Sequence, residues 1–330
     1  MDPRRYWRGG LLGGVLVAVV TVAALNACAS AQAAPPRSSS VSATGTPPVD
    51  GCGHPGPGST TWTLTVGGRQ RTVGVHVPRG YAPGRRIPLV LNLHGTGSTA
   101  ARQEPGSALD ASADKHTFLV AYPQGDRRVS GGGFAWNIAG TPAWSGRGAD
   151  DVGFLNGVVT QLSEHYCVDP ARVYATGFSG GARMVSQLAC DPGGVFAAIV
   201  AVGGLRAPTP CAAGTVAVLG VHGTGDLQNP YTGHGQSYWT YSVPEAARRW
   251  AVHNGCTGTP VLASPNPEVS LATYHSCRGT GAVELYTLTG KGHQWPPSKP
   301  GSFDCDERVW DFLAAHPRTA TPGHQNPLHD

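Results

Sequence analysis

Residues 172–190 read Arg-Val-Tyr-Ala-Thr-Gly-Phe-Ser-Gly-Gly-Ala-Arg-Met-Val-Ser-Gln-Leu-Ala-Cys, and this stretch constrains the fold more than any other. The run 173–176 is β-branched and aromatic, which suits a buried strand. Gly177-Phe178-Ser179-Gly180-Gly181 follows, and 182–189 has helix-forming composition. A strand, a sharp Gly-x-Ser-x-Gly turn and a helix together lift a serine hydroxyl above a sheet edge. Glycines are needed because the turned backbones pass too closely for a Cβ. With 47 glycines in 330 residues the pattern alone is weak; its flanks and its downstream partners give it weight.

The rest of the chain supplies the setting. Ahead of the domain, Arg4, Arg5 and Arg8 precede an uncharged apolar run at 11–25 and small residues at 27–34, so residues 1–34 read as a signal peptide. Leu25-Asn-Ala-Cys28 resembles a lipobox, whereas Ala29-Ser-Ala31 offers ordinary cleavage, so secretion and a lipid anchor through Cys28 both stay open. Residues 35–57 read as a disordered Pro/Ser/Thr/Gly-rich linker, 58–316 as one α/β domain, and 317–330 as a flexible tail. The formal charge is +4, of which Arg4, Arg5 and Arg8 against Asp2 supply +2. With no basic stripe, nucleic-acid binding has no support. Any contact with a membrane would run through the N-terminal lipid, and a monomer is expected.

Seven cysteines follow Cys28, and an exported chain is expected to pair them. Cys256 and Cys277 bracket a Gly/Pro-rich segment and form the first expected pair; Cys190 with Cys211 is the second. Cys52, Cys167 and Cys305 cannot all pair, so one thiol is left over. No C-x-x-C spacing exists, which argues against structural zinc.

Along the domain, 61–66 and 72–77 alternate around Gly67-Gly68 and predict an antiparallel hairpin. Strands are expected at 87–93, 117–122, 196–202, 215–221 and 283–288. Helices are expected at 108–115, from a cap at Asp151, at 243–253 and at 307–315. A long Gly/Trp-rich loop spans 124–148. Alternating strands and helices imply a mostly parallel sheet covered on both faces.

A serine hydroxyl becomes nucleophilic only when a base takes its proton and an acid orients that base. In the strand–turn–helix class the chain order is Ser, acid, His. His293, in Gly290-Lys-Gly-His-Gln-Trp-Pro296, follows a late strand; His234, His253 and His275 lack that setting, and His324 and His329 lie in the tail. Asp191 falls too close behind the elbow helix, and Glu245, Glu268 and Glu284 fall in a helix, a Pro-rich loop and a strand. Asp226, just beyond the strand ending at Val221, is the expected acid. An oxyanion needs preorganised N–H donors. Gly180 supplies one, and Thr96 in His94-Gly-Thr-Gly97 the other, with Gly95 as the alternative; His94 is expected to support the loop.

The segments Leu93-His-Gly-Thr96, Asp150-Asp-Val-Gly-Phe154, Val168 through Met184, His222-Gly-Thr-Gly-Asp226 and Gly290 through Pro296 resemble the polyhydroxybutyrate depolymerase/feruloyl esterase family. The resemblance spans nearly the whole domain and implies an α/β-hydrolase fold. It further implies an exported serine ester hydrolase that works through an acyl-enzyme with no metal or organic cofactor. Carried across, Ser179 is nucleophile, His293 base and Asp226 acid. Many relatives place Asn or Ala before a final Gly-Gly, where this chain has Gly180-Gly181-Ala182, and the loop around Trp144 is longer. Trp295, Trp136 and Trp144 are candidates to line the substrate pocket. Ser179, His293 and Asp226 would also serve an acyltransferase or an acetylxylan-type deacetylase, and a catalytically silent binding module is the remaining alternative.

Overall fold

The computed structural model describes residues 56, 58–298 and 303–318. The signal-peptide and Cys28 assignments, nearly all of the linker including Cys52, and most of the tail lie outside these residues. The hairpin forms as expected from β1 (Gly58–Val66) and β2 (Arg69–Val77), turning at Gly67 and Gly68, which both take positive φ. The chain then builds β3 (Ile87–Leu93), α1 (Ala100–Ser107), α2 (Leu109–His116) and β4 (Leu119–Pro123). The loop beyond β4 contains a two-residue pairing of β5 (Arg127–Arg128) with β6 (Phe134–Ala135). After it come α3 (Asp151–His165), β7 (Val168–Phe178), α4 (Gly180–Leu188), β8 (Ala198–Val202) and β9 (Ala217–Gly223). The chain closes with α5 (Val243–His253), β10 (Val261–Asn266), β11 (Val269–Tyr274), β12 (Ala282–Leu288) and α6 (Cys305–Ala315).

Ten strands form one sheet in the order β1-β2-β4-β3-β7-β8-β9-β12-β11-β10. The six from β4 to β12 run parallel, and antiparallel pairs close both edges. Period-two alternation explains how such a sheet is covered. On β3, Leu89, Leu91 and Leu93 join the core shared with α3, α4 and α5, while Val90 faces the core shared with α2 and α6. This is the α/β-hydrolase arrangement expected from the sequence.

One local expectation changes, and two elements were not expected. Asp150, not Asp151, caps α3: its carboxylate accepts from Gly153 N at 2.8 Å, and Asp151 is the buried first helical residue, bonded to Arg71. Helix α1 contains Pro105 and Gly106, which hide it from propensity. It forms because Thr99 Oγ1 caps it and Gln103 and Ser107 anchor to buried Asn92. The hairpin β10–β11 was not expected from the sequence, and Glu268 lies in its Pro267-Glu268 turn. All of β10 is exposed and its register breaks between Ala263 and Asn266, around Pro265, as an edge strand tolerates. Both expected disulfides, Cys190–Cys211 and Cys256–Cys277, are formed. Cys167 is also disulfide-bonded, and Cys305 is a buried free thiol.

Candidate active site

Ser179 sits between β7 and α4 with φ 52° and ψ −108°, a conformation that costs a non-glycine residue strain. The surrounding backbone over-determines that strain. A Cβ on Gly181 would lie 2.1 Å from Leu93 O, one on Gly177 2.7 Å from Gly181 C, and one on Gly204 2.3 Å from Ser179 O. The turn therefore packs backbone directly on the end of β3 and the loop after β8.

The other expected residues arrive at the same edge. Asp226 follows β9 and His293 follows β12, so three loops at the carboxyl ends of parallel strands converge where open α/β sheets bind ligands. His293 Nε2 lies 2.9 Å from Ser179 Oγ, and Nδ1 lies 2.6 Å from Asp226 Oδ2. The imidazole also packs on Phe178, with ring centroids 4.8 Å apart. The acid and histidine loops are laced together: Thr224 N donates to Leu288 O, Gly290 N to Thr224 Oγ1 and Gly225 N to Lys291 O.

Asp226 is 3% exposed. Burial opposes its ionisation, but hydrogen bonds from His222, His293 and the Asn229 amide outweigh that and hold its pKa well below the usual carboxylate range. The amides of Gln228 and Asn229 both donate to Oδ1, at 2.9 and 2.8 Å. His222 Nε2 stands 3.2 Å from Oδ2 and 2.9 Å from Asn229 O, while the Asn229 side chain ties to Gly203 O at 2.7 Å. His222 and Asn229 were not singled out from sequence as supports; their spacing of four before and three after Asp226 was the available signal.

Thr96 and Gly180 also meet. A Cβ on Gly180 would fall 2.3 Å from Thr96 Oγ1 and 2.8 Å from Thr96 N, so the Thr96 loop packs directly on the residue after the serine. Gly180 opens α4, where the first N–H groups have no intrahelical acceptor. The neighbouring donors are taken, Gly97 N by Phe134 O and Ser98 N by Gly95 O. His94 is internal scaffolding: its Nδ1 contacts Gly95 O and its Nε2 accepts from Gly125 N, and burial lowers its pKa to about 4. Trp136 Nε1 donates to His94 O.

A cavity of about 420 Å³ opens on Ser179, with Thr96, Trp136, Ile138, Arg183 and Tyr238 in its walls. Of the three candidate tryptophans, Trp136 alone is in this lining. Trp295 turns its indole N–H to Asp306 on α6, 2.9 Å away, because a half-buried donor needs an acceptor, and its ring packs on that side of the core. Trp144 is 51% exposed and stands outside the lining. Asn137 gathers its loop instead, bonding Ser145 and Ala149 through its side chain and Asp151 through its amide.

Fold and site together define an α/β-hydrolase with a serine, a histidine and an aspartate hydrogen-bonded in series. Residues 72–230 match the family model described as Esterase PHB depolymerase. Feruloyl esterase B of Piromyces equi is 30% identical over 259 residues, 74% of this chain and 45% of that protein. Poly(3-hydroxyalkanoate) depolymerase C of Paucimonas lemoignei is 31% identical over 67% of this chain and 58% of its own length. The chain thus spans about half the length of these two relatives. A putative esterase, NocK of Nocardia uniformis subsp. tsuyamanensis, is 31% identical over 84% of this chain and 76% of its own. The acetyl xylan esterase from Aspergillus awamori shares the fold, with a TM-score of 0.57, 16% identity and coverage of 77% of this chain and 99% of that one. The chain belongs to the Esterase PHB depolymerase family.

Proposed function

We propose that this chain is an exported serine carboxylic-ester hydrolase of the feruloyl esterase and polyhydroxybutyrate depolymerase type, working through an acyl-enzyme. The hydrogen-bonded series from Asp226 through His293 to Ser179, at 2.6 and 2.9 Å, carries this reading. In it, His293 accepts the Ser179 proton as Oγ attacks the ester carbonyl, and Asp226 fixes the tautomer with Nδ1 protonated and stabilises the imidazolium that forms. The amides of Thr96 and Gly180 receive the developing oxyanion. His293 then returns the proton to the leaving alcohol, and a water activated by the same imidazole releases the acid. Export accords with the disulfides, and among the described residues no helix is long and apolar enough to cross a membrane.

The relatives are named for feruloyl, acetylxylan and hydroxyalkanoate esters. The proposed substrate therefore is a small or polymer-borne carboxylic ester, with Trp136 in the wall that receives it. The test is product release from methyl ferulate and from a 3-hydroxybutyrate oligomer by the wild type and Ser179→Ala, with fluorophosphonate labelling beside it. The expected outcome is free acid from at least one substrate, a loss of about 10⁴-fold or more in Ser179→Ala, and label on Ser179. Hydrolysis surviving in Ser179→Ala, or unlabelled Ser179 in an active protein, overturns the proposal.

A further inference from the structure

The cavity wall carries charge of one sign. Arg127, Arg128 and Arg183 line it, and no aspartate or glutamate does. Arg127 and Arg128 are exposed at the mouth, where Arg127 Nη1 donates to Ala143 O and Arg128 lies over the Phe134 ring. Arg183 is different: it is 7% exposed and stands one helical turn beyond Ser179, its amide donating to Ser179 O at 3.1 Å. Residues four apart lie on one helix face, roughly 5–6 Å apart at Cβ, which directs Arg183 along the wall that starts at the serine.

A guanidinium has five N–H donors. For Arg183 they find one long contact, Nη1 to Asn229 Oδ1 at 3.4 Å, and the face of Tyr238 with its centroid 4.8 Å away; buried Nε has no acceptor. Asp226, whose charge Arg183 feels, makes no hydrogen bond to it and is already committed to His293 and two backbone amides. A buried cation without a counter-ion is costly, and one beside a cavity is relieved by an anion that enters it. The other buried arginines show the contrast in their terminal nitrogens: Arg71, whose Nε is also unpaired, has Asp151 and Gln124 O, and Arg206 has the carbonyls of Tyr238 and Tyr241, both at 3.0 Å or less.

We propose that Arg183 is a specificity-determining residue that pairs with a carboxylate on the substrate, making this an esterase for anionic esters, with Arg127 and Arg128 drawing them in. The inference deepens the esterase reading and rests on it. The reaction stays ordinary hydrolysis: water supplies OH to the acyl carbon and H to the alkoxyl oxygen, and the distant carboxylate is unchanged.

The test compares kcat/KM for two anionic esters with neutral counterparts. Monomethyl adipate carries its charge on the acyl side and is set against dimethyl adipate; 6-acetoxyhexanoate carries it on the alcohol side and is set against its methyl ester. A charge-assisted pair predicts a roughly tenfold to hundredfold preference for at least one anion, and the favoured arm tells which side faces Arg183. The preference is expected to collapse in Arg183→Gln and only to weaken in Arg127→Gln/Arg128→Gln. Turnover of both esters of a pair without preference overturns the inference but leaves the esterase standing; turnover of none overturns the esterase reading itself. Should Arg183→Gln fail to fold, the surface double variant decides: a retained preference supports Arg183, and its complete loss overturns the assignment.

Discussion

Asp226 is a carboxylate with no exposed surface to speak of, yet its neighbours favour its charge. Two backbone amides on Oδ1 and two histidines on Oδ2 replace the water it gave up. If it orients His293, Asp226→Asn keeps the shape but presents a donor to Nδ1 and favours the wrong tautomer, so kcat is expected to fall about 10³–10⁴-fold with KM little changed. Steady-state kinetics on any accepted ester checks this. The same depressed pKa fixes a sign in stability. The ionised form is bound better in the folded state, so its contribution is complete above the ordinary carboxylate range of about 4 and is lost as pH falls toward the lowered value. The gap in urea midpoint between wild type and Asp226→Asn is therefore expected to narrow as pH falls below about 4. A gap that widens below that pH would mean the carboxylate is not held ionised in the fold.

At the scale of elements, the elbow depends on backbone contact rather than on side chains. Gly181→Ala would drive a Cβ to 2.1 Å from Leu93 O, and neither backbone can yield without moving β3 against α4. A loss of about 3 kcal/mol is expected, at the upper end for overpacking. Gly106, inside α1, has nothing within 4 Å of its added Cβ, and there alanine is expected to stabilise by about 0.5 kcal/mol. Chemical denaturation of the pair checks both signs. The same contrast explains what could be read in advance. Buried parallel strands announce themselves as apolar runs, and Ser179, Asp226 and His293 follow from loops counted after those strands. The edge strand β10 is polar, exposed and broken at Pro265, so it carries no such pattern. Helix α1 is held by Asn92 from another element, which propensity cannot see. Trp295 stands two residues from His293, but its direction was settled by Asp306, a partner eleven residues away on α6. Arg183 sits inside the quoted motif, yet only the folded cavity reveals that it lacks a counter-ion.

For the molecule as a whole, the two described disulfides secure places where the sheet and its helices end. Cys190–Cys211 joins the segment just after α4 to the loop beyond β8, and Cys256–Cys277 joins the end of α5 to the segment following β11. Both close loops with a sequence separation of 21 residues, so chain entropy alone assigns each the same contribution, about 3 kcal/mol. At roughly 2–4 °C per kcal/mol for a domain of this size, losing either is expected to lower Tm by about 6–12 °C. The native side breaks the tie. Cys190 is buried in the main core, whereas Cys256 and Cys277 are only half-buried beside the exposed hairpin. Cys190→Ser/Cys211→Ser therefore adds a buried hydroxyl to the entropic loss and is expected to fall further in Tm than Cys256→Ser/Cys277→Ser. Hydrogen exchange separates the two in space. The second variant is expected to lose protection along β10 and β11, which pair with the rest of the sheet through the β11–β12 ladder. The parallel strands that carry the serine, aspartate and histidine loops should keep theirs. Equal Tm losses, with protection lost evenly across the sheet, would mean that both bridges act only on the unfolded chain.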